Sequence, residues 1–334
     1  MKRNLIAFIL CLTCVSLIGK AQDSILIHDL NPKLFNQNFT DYDRYTSIFC
    51  AQASEIAYWK EHKVSVLFSK LKTTYSDNIF EYKFINDNYG LHHNQVLLIG
   101  TKEFLIVAFR GTEPTILKDW YSDAKYWNYE NTPESNVGLS HMPPGHGGFR
   151  TALQRLMLKK DLINEIKAMI SRCSSNGKTE EFPVYLTGHS LGAAISQMFI
   201  EPLKQNHLNF SGAYHFAPPL AVGCIVNREM KNKYGNIVYD IVNYKDYVPR
   251  AGRNDVAHFG KFYRICNDGL LYKEAEAYVK FNGKEYLTEF KLHALSSHLK
   301  AIKNSRNEVK EVNLRSIGDF PCMELKGKPM TICN

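Results

Sequence analysis

The chain has 334 residues, of which 45% are hydrophobic and 22% charged, with 20 Gly and 12 Pro. That length and balance exclude collagen-like, coiled-coil and broadly disordered chains, and they supply enough core to fold without disulfides or metals. The formal charge of +8 comes with no dense Lys/Arg stripe and no nucleic-acid motif, so it reads as a solvated surface and nucleic acid is not an expected partner.

Lys2 and Arg3 precede an apolar run from Leu5 to Ile18, and Gly19 and Ala21 place small residues two positions apart before Gln22. That order predicts a secretory signal peptide over residues 1–21, hence a secreted or periplasmic protein. The run is shorter than the roughly 18 to 20 apolar residues a membrane span requires, and no second run exists, so the mature chain is expected to lack an integral span. Residues 22–334 are expected to form a single domain. Outside the leader lie Cys50, Cys173, Cys224, Cys266, Cys322 and Cys333. An even number permits disulfides in an oxidising compartment, with the short Cys322 to Cys333 loop the favoured pair and free buried thiols equally open for the others.

Residues 22–40 read as a polar lead-in strap outside the core. Asp41 and Asp43 then open a helical stretch carrying Ile48, Ala51, Ile56 and Ala57 at helical spacing. Ile79 to Ile85 is β-rich, and the apolar runs Gln95 to Ile99 and Glu103 to Phe109, separated by Gly100, Thr101 and Lys102, read as a hairpin. From Arg110 to Gly148 the pattern breaks into a long aromatic and then Pro, Asn and Gly-rich loop, a feature that is often functional. Leu153, Leu156, Met157, Ile163, Ile166 and Ile170 predict one long amphipathic helix ending before Asn176. Val184 to Thr187 reads as a buried strand, Leu191 to about Lys204 as a helix, and Ala213 to Phe216 and Ile237 to Asn243 as further strands. Strands alternating with helices predict an α/β fold with a mostly parallel central sheet flanked by helices.

The chemistry concentrates at Gly188, His189, Ser190, Leu191, Gly192, a GxSxG motif between a strand and a helix. This is the setting of a nucleophile elbow, where glycines two residues before and after the serine leave room for a sharp turn. Ser190 would project from the carboxyl edge of the sheet, and the helix beginning at Leu191 would turn its amides toward developing negative charge. A serine hydroxyl needs a base to take its proton, and in this architecture an acid and then a histidine follow the serine along the chain. Among Asp240, Asp246 and Asp255, Asp246 is preferred because it sits just past a strand, where Pro249 starts a loop; Asp240, inside the apolar run, is second. His258 reads as structural. His293, at a helix entry, is preferred as base over His298 in the helix body.

In one order the chain carries Val107 to Thr112, Asp119, Trp120 and Asp123, His146 to Phe149, the Gly188 to Gly192 elbow, and Asp246 to Pro249. This succession resembles the class 3 (fungal-type) lipase family, which has the α/β-hydrolase fold, over roughly residues 45–305. The resemblance implies Ser190 as nucleophile, Asp246 as acid and His293 as base. It also implies an oxyanion hole from Thr112 and the Leu191 amide, and a lid over about 113–126 in which Ile116, Leu117, Trp120 and Tyr121 meet the substrate. Those lid residues also fit ordinary loop packing. His298 takes a position where the family often has an aromatic residue, and His146 matches a structural histidine. Pro218 to Gly223 departs from the family's usual Pro, basic residue, Gly-Asn pattern, and the tail after Arg306 has no counterpart.

The expected reaction is hydrolysis of a lipid carboxylic ester by acyl transfer, at a lipid–water interface if the lid opens there, with no metal or organic cofactor. Three alternatives share the same residues: a small-ester or feruloyl esterase, a phospholipase A1, and a catalytically silent relative that binds lipid or a protein partner.

Overall fold

The computed structural model describes residues 26–78, 80–89, 92–111, 129–130, 143, 145–175, 177–243, 246, 248–250, 256–266, 269–273, 290–306 and 309–311. After a helical turn over 26–29 and a 3-10 turn at Pro32–Leu34 come two helices, α1 (Arg44–Ile56) and α2 (Glu61–Thr74), followed by strands β1 (Glu81–Tyr89), β2 (His92–Gly100) and β3 (Leu105–Phe109). The short strands β4 (Tyr129–Glu130) and β5 (Gly145–His146) precede helices α3 (Gly147–Lys160) and α4 (Leu162–Cys173). Then come β6 (Pro183–His189), α5 (Leu191–Gln205), β7 (Asn209–Phe216), β8 (Val222–Gly223), α6 (Cys224–Tyr234) and β9 (Val238–Asn243). β10 (Val256–Ala257), β11 (Lys261–Ile265), β12 (Leu271–Lys273), α7 (Phe290–His293), α8 (Leu295–Asn304) and β13 (Val309–Glu311) complete the described elements.

The main sheet runs β1-β2-β3-β6-β7-β9-β11-β12-β13. Its centre, from β3 through β6, β7 and β9 to β11, is parallel, whereas β1, β2 and β3 form an antiparallel meander at one side. A parallel centre demands apolar side chains on both faces. β2 and β3 supply them by alternation: Val96, Leu98, Leu105 and Val107 enter the cluster with α3, α4 and α5, while Leu97, Ile99, Ile106 and Ala108 enter the one with α1, α2 and α8. A small sheet, β10-β8-β5-β4, lies apart from this stack of strands in the pairing scheme.

Two local readings need correction. Residues 22–40 are no mere strap, because Leu30, Phe35 and Phe39 are buried and Phe35 stacks on Phe104 with ring centroids 4.3 Å apart. The long helix expected through Leu153 and Ile170 is two helices, broken at Asp161, which adopts φ 53°. A left-handed single residue turns the chain without disturbing the apolar spacing on either side, so periodicity alone does not reveal the break. Helix α2, which buries Val64, Leu67, Phe68 and Leu71, was not anticipated. Cys266 is disulfide-bonded, whereas Cys50 and Cys173 are buried free thiols; the expected Cys322 to Cys333 pair lies outside the described residues.

The helix opening at Asp41 and Asp43 has a clear cap. Asp43 accepts the Thr46 N–H at 2.7 Å, satisfying one of the unpaired amides of the first turn of α1. The expected signal peptide over residues 1–21 and the tail after 311 lie outside the described residues. Among the described residues no helix is long and apolar enough to cross a membrane.

Candidate active site

The turn between β6 and α5 is built by steric need. Ser190 adopts φ 56° and ψ −127°, a conformation costly for any residue with a side chain. A Cβ on Gly188 would meet the Gly192 carbonyl carbon at 2.6 Å, and one on Gly192 would meet the Phe109 carbonyl oxygen at 2.1 Å. Only glycine allows the helix start, the strand end and neighbouring β3 to approach so closely. The Ser190 N–H donates to the Phe216 carbonyl at 2.9 Å, which ties the bend to β7.

The structure brings Ser190, His293 and Asp246 together. Ser190 Oγ donates to His293 Nε2 at 2.8 Å, and His293 Nδ1–H donates to Asp246 Oδ2 at 3.0 Å, with Oδ1 at 3.2 Å. The Val248 N–H donates to Asp246 Oδ1 at 3.0 Å, so the loop beyond the acid closes back on the carboxylate. All three side chains are buried. Burial alone would push the Asp246 carboxyl up, but the His293 ring, its hydrogen bond, the His298 ring and the Val248 amide together hold it below the ordinary carboxylate value. The carboxylate is thus ionised and aimed at the imidazole, the arrangement that turns a serine hydroxyl into a nucleophile.

A surrounding set of groups was not picked out as functional from the sequence. His189, inside the elbow, donates through Nε2 to the His293 carbonyl at 2.7 Å and accepts the Tyr58 hydroxyl at Nδ1, 3.1 Å away. His298 lies in the body of α8, with Nε2 3.4 Å from Asp246 Oδ2. Burial pulls its pKa down to about 4, and burial followed by the charges of His293 and His298 pulls that of His189 well below the ordinary histidine value. Both rings are neutral near pH 7. The only sequence signal for His189 is its place between Gly188 and Ser190; Tyr58 has none.

Asp240, second choice as acid, belongs to a different array. His215 Nδ1 approaches Asp240 Oδ1 at 3.3 Å, and His215 Nε2 pairs with Ser196 Oγ at 2.9 Å. Gln197 Nε2 donates to Asp240 Oδ1 at 3.0 Å, and His258 Nδ1 lies 3.4 Å from Oδ2. His258 also donates through Nε2 to the Pro249 carbonyl at 2.8 Å, beyond the loop of Asp246. Burial raises the Asp240 carboxyl, but bonds from His215 and His258 override it and bring its pKa down to about 2. Ser196, His215 and Asp240 repeat the serine–histidine–aspartate sequence of contacts, but Ser196 sits within the body of α5, whereas Ser190 stands at the strained bend before it. The array ties α5 to β7, β9 and the loop after β9.

Of the remaining expected residues, Leu191 is buried at the first position of α5, where its N–H has no acceptor within the helix. Thr112, Ile116, Leu117, Trp120 and Tyr121 lie outside the described residues. A Cβ on Gly111 would meet the His189 carbonyl oxygen at 2.4 Å, so the chain leaving β3 presses against the elbow just before Thr112. Among the described residues no group of three or more His, Cys, Asp or Glu is placed to hold a metal ion.

A strained serine between a parallel strand and a helix, on a mostly parallel sheet covered on both faces, defines the α/β-hydrolase fold. Solved structures agree on that fold. Rhizomucor miehei lipase in complex with its propeptide is 16% identical, with TM-score 0.52, covering 67% of this chain and 67% of that one. A fungal lipase described for an unusual buried polar cluster in its family is 16% identical, with TM-score 0.53, covering 74% of this chain and 93% of that one. Residues 106–255 match the family model for class 3 lipases. Triacylglycerol lipase OBL1 of Arabidopsis thaliana is 26% identical over 254 residues, 65% of this chain and 48% of that protein. The chain therefore spans about half the length of that curated relative.

Proposed function

We propose that the chain is an exported serine hydrolase that cleaves carboxylic esters of lipids through an acyl-enzyme. The observation that carries this reading is the continuous contact from Ser190 Oγ through His293 to Asp246, at 2.8 and 3.0 Å. The match to the class 3 lipase model over residues 106–255 and the triacylglycerol lipase relative support a lipid ester as substrate.

In this mechanism Ser190 Oγ attacks the ester carbonyl carbon while His293 Nε2 takes its proton, and the carbonyl electrons move onto oxygen. The Leu191 N–H and Thr112 would hold that oxyanion; loss of one such donor typically costs about 100- to 1,000-fold in turnover. Collapse expels the alcohol, which leaves with the proton held by His293. Water then attacks the acyl carbon, gives its proton to His293 and releases the acid as that proton returns to Ser190 Oγ. Asp246 orients the imidazole and stabilises its cation throughout.

Export rests on the pattern of residues 1–21, and the disulfide at Cys266 supports an oxidising compartment. The chemistry is tested by hydrolysis of a p-nitrophenyl ester series from C2 to C18. Ser190→Ala should lower turnover by at least about 1,000-fold at unchanged folding; a variant within a few fold of the parent chain contradicts the assignment.

A further inference from the structure

Three successive backbone carbonyls around His293 are each held by a side chain from a different element. Asn243 Nδ2, at the end of β9, donates to the Leu292 carbonyl at 3.3 Å. His189, at the elbow, donates to the His293 carbonyl at 2.7 Å. His298, in α8, donates through Nδ1 to the Ala294 carbonyl at 3.2 Å, because a carbonyl oxygen can only accept. The other nitrogen of His298, Nε2, accepts the Asn243 N–H at 3.2 Å. One neutral ring therefore bonds at both ends: to the strand that leads into Asp246, and to the residue next to His293.

From this geometry we propose that Asn243 and His298 are positioning residues that set the separation between the acid and the base. Asn243 stands three residues before Asp246, and its backbone and side chain both reach the segment that carries His293. The clamp thus joins the two halves of the His293–Asp246 bond by a path that avoids the bond itself. His298 Nε2 also lies 3.4 Å from Asp246 Oδ2, but as the acceptor of the Asn243 amide it presents no proton to the carboxylate. Asp246 therefore takes its imidazole proton from His293 alone. A phenylalanine at position 298 would fill the same volume and make neither bond, so the chemistry of the ring, and not its bulk, is what the clamp uses.

This inference rests on the ester-hydrolase reading, and the test separates the two. The full chain is compared with Ser190→Ala, His298→Phe, His298→Gln and Asn243→Leu on a soluble p-nitrophenyl ester, with the melting temperature of each. Glutamine carries an N–H donor and an oxygen acceptor on one planar group, as a neutral imidazole does. Misplacing a catalytic group by about 1 Å costs on the order of 100-fold. His298→Phe and Asn243→Leu should therefore lose about 10- to 100-fold in kcat with KM within about two-fold, and His298→Gln should recover most of the loss. The low-field proton resonance of His293 Nδ1, which reports its bond to Asp246, should move in His298→Phe and return in His298→Gln. Asn243→Leu and His298→Gln carry the comparison if His298→Phe does not fold. An inactive Ser190→Ala beside a His298→Phe or Asn243→Leu chain of full kcat overturns the clamp alone. A fully active Ser190→Ala overturns the hydrolase reading and the clamp with it.

Discussion

Ser190 holds a strained backbone that only its glycine neighbours permit, and the buried histidines around it add a cost that depends on pH. His189 and His298 hold a proton less readily in the folded chain than in the unfolded one, because burial disfavours their cations. The unfolded state therefore binds more protons between the ordinary histidine value and about 4, and folding is favoured above that window. Stability should fall as pH drops from about 6.5 toward 4, by about 1.4 kcal/mol per pH unit for each histidine. Glu55, whose carboxyl burial raises, offsets part of this. Urea unfolding from pH 7 to 4.5 measures it, and stability that stays level or rises on acidification contradicts the neutral buried rings.

What was legible at this scale depended on distance along the chain. Ser190 and its glycines announce themselves because the elbow's steric demands act within five consecutive residues. Asp246 and His293 could be chosen only through strand ends and chain order. Tyr58 bonds His189 across 131 positions, and Asn243 reaches the Leu292 carbonyl across 49, with no local pattern to mark either. His215 went unnoticed because a histidine inside an apolar strand looks like one more buried residue until Asp240 and Ser196 are seen on either side of it.

Among the elements, strands with mostly apolar runs were the easiest to place, since a parallel strand buried on both faces leaves little else for Val184 to Leu186, or for Val238 to Val242 around its one Asp240, to be. The segment before α1 was misread for the opposite reason. Its Asn and Asp content marks turns, yet Phe35 and Phe39 reach inward to an aromatic cluster with Phe49, Phe104, Tyr185, Tyr214 and Tyr239. Polar backbone-turn chemistry and apolar side-chain burial coexist there residue by residue. Phe35→Ala should cost about 3–5 kcal/mol, the range for emptying a buried aromatic site. A loss under about 1 kcal/mol in denaturant unfolding would return the segment to the status of a surface strap.

For the molecule as a whole, the sheet acts as the frame that gathers distant side chains at one edge. β6 delivers Ser190, β9 leads to Asp246, and α7 ends on His293, while α5 and α8 close opposite faces of the sheet. The proposed export adds one more event, removal of residues 1–21. Mass measurement of the protein recovered outside the cytoplasm should find Gln22 as its first residue, and a chain still beginning at Met1 contradicts a cleaved leader.

Two serine–histidine–aspartate arrays stand in this fold, and only one lies at a strained bend. Treating the folded chain with a fluorophosphonate and mapping the adduct by peptide mass spectrometry separates them. The account predicts a single covalent adduct on Ser190, lost in His293→Ala. No adduct on the folded protein, or an adduct on Ser196 in its place, would contradict it.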